Sequence, residues 1–157
     1  MKRALARLAA SCLLGLIAAA PSVAKETIGL CLADDMRERL HAEMRTLLGA
    51  LHGVHAALAQ RDFEALTERA AGAGSALAEQ VEKHAANHHA GLPHQFVKLG
   101  RSTHAAFDDL ATLARDGGQE GELLPALSKL SGHCVECHAK YRLVPAAECA
   151  TEEAGAH

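Results

Sequence analysis

Apolar residues recur at steps of three and four along four stretches of the chain, the period of an amphipathic helix. The first stretch runs from about Leu32 to Ala59, with Leu40, Met44, Leu47, Leu51, Val54 and Leu58 on one face. The second follows Asp62, a residue suited to an N-cap, and aligns Phe63, Leu66, Ala70, Ala73, Leu77 and Val81. The segment AANHHAGLP breaks the period. A third stretch runs from about His94 to Arg115 through Phe96, Leu99, Thr103, Phe107, Leu110 and Ala114. DGGQEG reads as a turn. A fourth stretch runs from about Glu122 to Leu143, with Pro125 in its first turn and Leu127, Leu130, Cys134, Cys137 and Tyr141 as its seam. No stretch alternates with period two over a useful length, so no strand is predicted. Short connections make neighbouring helices antiparallel, so the pattern predicts an all-α, up-down-up-down four-helix bundle.

Upstream of this pattern the chain has another character. MKRALAR is basic, LAASCLLGLIAAA is apolar, and PSVA ends in small residues. This order predicts a secretory signal over residues 1–24, cleaved after Ala24, and one domain over residues 25–157. The apolar run is shorter than the ~20 residues a membrane span needs, so no stable membrane insertion is expected. Cleavage would take Lys2, Arg3 and Arg7 from 16 basic residues and nothing from 19 acidic ones, moving the formal charge from −3 to −6. An acidic surface argues against nucleic acid as a partner and suits a basic protein partner, though mild acidity also serves solubility.

Aromatic residues are scarce: three Phe, one Tyr and no Trp. Aromatics normally supply much of a small core's buried area. A bundle built from Ala and Leu is easier to rationalise if something large and flat fills its middle.

The chemistry concentrates in SGHCVECHAKYRL, where Cys134 and Cys137 lie three apart and His138 follows directly. Three chemistries compete for this spacing. A redox dithiol wants its first cysteine exposed at a helix N-terminus in an α/β fold. A zinc site needs four ligands, and the remaining imidazoles of the His-rich loop are expected at the far end of the bundle. Covalent haem attachment is the standard meaning of C-x-x-C-H: two thioethers from Cys134 and Cys137, with His138 as axial iron ligand. Residues i and i+3 share a helix face, so both sulfurs can reach one porphyrin edge. Export agrees, and one motif predicts one haem c. Of the other histidines, His88, His89 and His94 read as solvated loop residues, and His133 as facing solvent.

The single motif near the C-terminus, continued as CVECHAKYR, resembles the class II cytochromes c, the cytochrome c prime family. MRTLLGALHGVHAALAQRDFEAL, from Met44 to Leu66, is also similar to that family's first helix and its turn into the second. The resemblance spans essentially all of residues 25–157. It implies a periplasmic four-helix bundle with haem between the helices, redox proteins of the periplasm as partners, and homodimerisation as an open question. One departure is Leu40, where the family commonly carries an arginine one turn before its distal residue.

The resemblance also places Met44 at the distal position; its thioether on the apolar seam of the first helix makes it the expected sixth iron ligand with His138, and His41, within a turn of Met44, is the competing ligand. Arg142, expected one turn after His138 on the same helix, would flank the proximal haem face, and Tyr141 would pack on the porphyrin. Thioether ligation suits a non-enzymatic electron carrier; a five-coordinate haem binding nitric oxide or carbon monoxide is the alternative. Cys31 and Cys149 remain as an even pair in an oxidising compartment. A bundle of this topology brings the start of its first helix and the end of its last together, which predicts a Cys31–Cys149 disulfide.

Overall fold

The computed structural model describes residues 27–84 and 91–149; the predicted signal segment, His88, His89 and the C-terminal TEEAGAH lie outside them. In chain order the elements are β1 (Ile28–Leu32), α1 (Asp34–Ala59), α2 (Phe63–Ala71), α3 (Ser75–His84), α4 (His94–Arg115), α5 (Glu120–Lys140) and β2 (Tyr141–Pro145). The protein is mostly helical, as its periodicity predicts. No helix among the described residues is long and apolar enough to cross a membrane.

Three features differ from the pattern-based expectation. First, the second helical stretch is two helices. Its alanine period runs through AGAGSA, but α2 ends at Ala71 with Gly72 as its C-cap, and α3 restarts at Ser75, whose N–H donates to the Asp108 carboxylate of α4 at 2.9 Å. Gly74 is buried against that carboxylate, and a Cβ there would overlap it. Second, the chain contains strands. β1 and β2 pair in parallel, Ile28 opposite Tyr141 through Leu32 opposite Pro145. Leu30 and Leu32 point inward and Gly29 and Cys31 outward, an alternation too short to register beside the helical run. Third, α5 stops at Lys140, so Tyr141 and Arg142 stand on a strand rather than on the helix of His138.

Caps explain the helix ends. Asp62 accepts from the Ala65 N–H at 2.9 Å, as its position predicts. Gln119 opens α5 with its N–H donated to Glu122 at 3.2 Å, which moves the start to Glu120 and leaves Pro125 in the second turn. Asp34 and Asp35 place negative charge in the first turn of α1, where the helix dipole favours it.

The buried side chains fall into two clusters. The larger joins Val54 and Ala57 of α1, Leu66 and Ala70 of α2, Phe107, Leu110 and Ala111 of α4, and Leu123, Leu127 and Leu130 of α5. The smaller joins Leu30, Leu32, Leu40, Phe96 and Tyr141, with Met36, Met44, Leu92 and Cys137 against it. Phe96 and Tyr141 meet edge to face, their centroids 5.3 Å apart. Phe63, assigned by periodicity to the core face of α2, is 37% exposed instead. Cys31 and Cys149 lie at disulfide distance with Cα atoms 6.1 Å apart, joining β1 to the end of the described chain.

Candidate functional site

Between the two clusters the core opens into a groove of about 620 Å³. α1 contributes Leu40, His41, Glu43, Met44, Leu47, Leu48 and Leu51. α4 supplies the back wall through Leu99, Thr103, His104 and Phe107. α5 faces α1 with Leu130, His133, Cys134, Val135, Cys137 and His138. Ala78, Val81 and Glu82 of α3 close one side. The origin of the opening is local. α1 has fully buried side chains only at Leu40, Val54 and Ala57; between them Leu47 and Leu51 are partly buried on the larger cluster and, with Met44, border the groove.

The structure brings together most of the residues that the motif and its resemblance single out. Cys134, Cys137 and His138 all line the groove, and Met44 and His41 line it from the opposite wall. Tyr141 and Arg142 do not line it. Tyr141 is buried in the smaller cluster against Phe96, and Arg142 is exposed on β2, its guanidinium over Gly29 of β1. Both displacements follow from the helix ending at Lys140.

Cys134 and Cys137 are half-buried and unpaired, one helical turn apart. Burial pushes both thiols above their ordinary pKa, and for Cys137 the neighbouring Cys134 and Glu136 push the same way. These sulfurs therefore stay protonated at neutral pH. That is the opposite of a catalytic dithiol, whose first cysteine is a stabilised thiolate. Among the described residues, no three His, Cys, Asp or Glu side chains converge as a metal site. The start of α4 lies at the same end of the molecule as the C-terminal end of α5, since Phe96 touches Tyr141 and Leu92 packs in the same cluster as Cys137. Leu92, Pro93 and His94, the described end of the His-rich segment, therefore lie at the motif's end, not the far end.

Two groove residues carry no motif. His133, expected in solvent, lines the groove, and its Nδ1 is buried without a hydrogen-bond partner among the described residues. His104 is 3% exposed. Its Nδ1 lies 2.8 Å from the Ala73 carbonyl, and its Nε2 lies 3.1 Å from Glu43 Oε1. Both ring nitrogens face oxygen acceptors, so a proton is held between the imidazole and the carboxylate. A periodic signal for it exists: His104 stands four after Gly100 and three before Phe107, on the apolar stripe of its helix.

No family model, curated protein or solved structure matches the chain.

Proposed function

We propose that the protein is a monohaem c-type cytochrome of the class II kind, carrying electrons in the periplasm, in which His138 and Met44 would hold the iron. The observation that supports this reading is that all three positions of the C-x-x-C-H motif line one apolar groove, with a thioether on its facing wall. The residues present fit the group. Two protonated, half-buried thiols stand a turn apart on one helix face, and the groove is within the roughly 300–1,000 Å³ usual for cofactor sites. The gap in the core explains how so few aromatics suffice.

When bound, haem supplies a reversible one-electron couple at its iron. The chain's own residues do the rest. Cys134 and Cys137 would each add S–H across a vinyl group, sulfur to one carbon and hydrogen to the other, with no leaving group. His138 would donate a ring-nitrogen lone pair, and Met44 a sulfur lone pair that raises the potential. Leu47, Leu51, Leu99 and Phe107 would keep water from the ring, so that little reorganisation accompanies a change of charge.

A second reading keeps its place because Met44 is flanked by Leu47, Leu48 and Leu51. Without thioether ligation that wall is an apolar site for a neutral diatomic gas, nitric oxide or carbon monoxide. One set of measurements tests both. Protein exported by a host that matures c-type cytochromes should exceed its cleaved chain mass by one haem, and acid acetone should not remove it. The spectrum should be low-spin and insensitive to carbon monoxide, and Met44→Ala should make it high-spin and gas-sensitive. Extractable haem overturns the attachment; a wild type that is high-spin and binds carbon monoxide establishes the second reading.

A further inference from the structure

Between Leu40 and Val54 no side chain of α1 is fully buried, a rise of 14 steps or ~21 Å of helix bordering the groove. Apolar packing is non-directional, and along this span it acts from one side only. Leu47, Ala50 and Leu51 pack only in part on the larger cluster along this span, and the Glu43–His104 bond adds a directional contact within it. His104 is itself anchored to the Ala73 carbonyl in the break between α2 and α3. One buried side chain thus ties α1 and α4 to the α2–α3 junction.

We propose that His104 is a positioning residue for the groove: through Glu43 it holds the α1 segment carrying His41 and Met44 at one rotation and height against α4. Successive helical residues are about 100° apart. With Glu43 turned to α4, Met44 is presented toward the wall of Cys137 and His138. The bond also leaves α1 little freedom to rotate, because breaking it strands the buried imidazole away from water. The role that this wall serves rests on the haem reading; the clamp itself does not.

Two substitutions separate the ends of the imidazole. His104→Asn keeps an amide where Nδ1 meets Ala73 but cannot reach Glu43, whereas His104→Gln reaches Glu43. Amide hydrogen exchange over residues 41–51 should be at least tenfold faster in His104→Asn and near wild type in His104→Gln, with residues 123–130 unchanged in both. In haem-loaded protein the thioether-to-iron charge-transfer band should be lost in the Asn variant and kept in the Gln variant. Glu43→Ala cuts the same bond from its half-buried end and should reproduce the Asn result if that variant does not fold. Unchanged exchange on cutting the bond overturns the clamp, as does equal acceleration everywhere in both His104 variants. Exchange is read on the haem-free chain as well, so a protein that never takes up haem removes the functional reading while the clamp is still decided.

Discussion

His104 ties a protonation state to the fold. Burial alone would lower its pKa, but the Glu43 hydrogen bond, the Ala73 carbonyl and the Glu43 charge outweigh it and raise the pKa above its ordinary 6.5. A group that binds its proton more tightly when folded contributes stability fully present below its unfolded pKa. That contribution is lost as pH rises through the raised folded value. The unfolding free energy of the wild type, relative to His104→Asn, should therefore fall as pH rises from the ordinary 6.5 through the raised folded value. Parallel urea titrations of the two proteins check this, and a difference that stays flat or grows with pH contradicts it. His104 carries no local signature in the sequence, because its chemistry comes from Glu43 and Ala73, 61 and 31 positions away. The motif residues were legible because theirs is local.

At the scale of elements, the amphipathic stripes were readable because α1, α2, α4 and α5 each bury residues along one face, and periodicity reports that directly. The breaks were not. Alanine is permissive enough that AGAGSA continues a helical stripe on paper, while the chain turns there to let Ser75 reach Asp108. The strands were hidden differently: IGLCL and YRLVP each have five residues, and their pairing spans nearly the whole chain. Tyr141 read as a continuation of the helical seam because it is buried, but it is buried by Phe96. The helix break gives a test. Gly74→Ala should push Asp108 aside and uncap α3, costing about 1–2 kcal/mol in chemical denaturation, in line with the loss of other helix caps. A substitution without cost would mean that the carboxylate is not needed there.

At the scale of the whole molecule, the groove exists because the two core clusters do not merge. The smaller one contains β1, β2 and the first turns of α1 and α4, and the Cys31–Cys149 pair lies at its edge. That pair was predictable from topology and cysteine parity, whereas the sheet beside it was not. Separated by 118 positions, the cysteines close a long loop, and their bond limits the freedom of the unfolded chain. Replacing both by serine should lower the unfolding free energy by about 4 kcal/mol in denaturant titrations and loosen the small cluster before the large one. Loss of less than ~1 kcal/mol would show that the strands hold that end unaided.

The same bond makes residues 31–149 a covalent ring. A single backbone cut within it, for instance in the exposed turn of Asp116 and Gly117 that precedes α5, opens the ring but releases no fragment. The helix bearing Cys134, Cys137 and His138 stays tethered to the first helix. It can close again onto the same groove at an effective concentration no pair of separate fragments could reach. A protease nick that would dismantle an open-chain helical protein should leave this one spectroscopically intact until the disulfide is reduced.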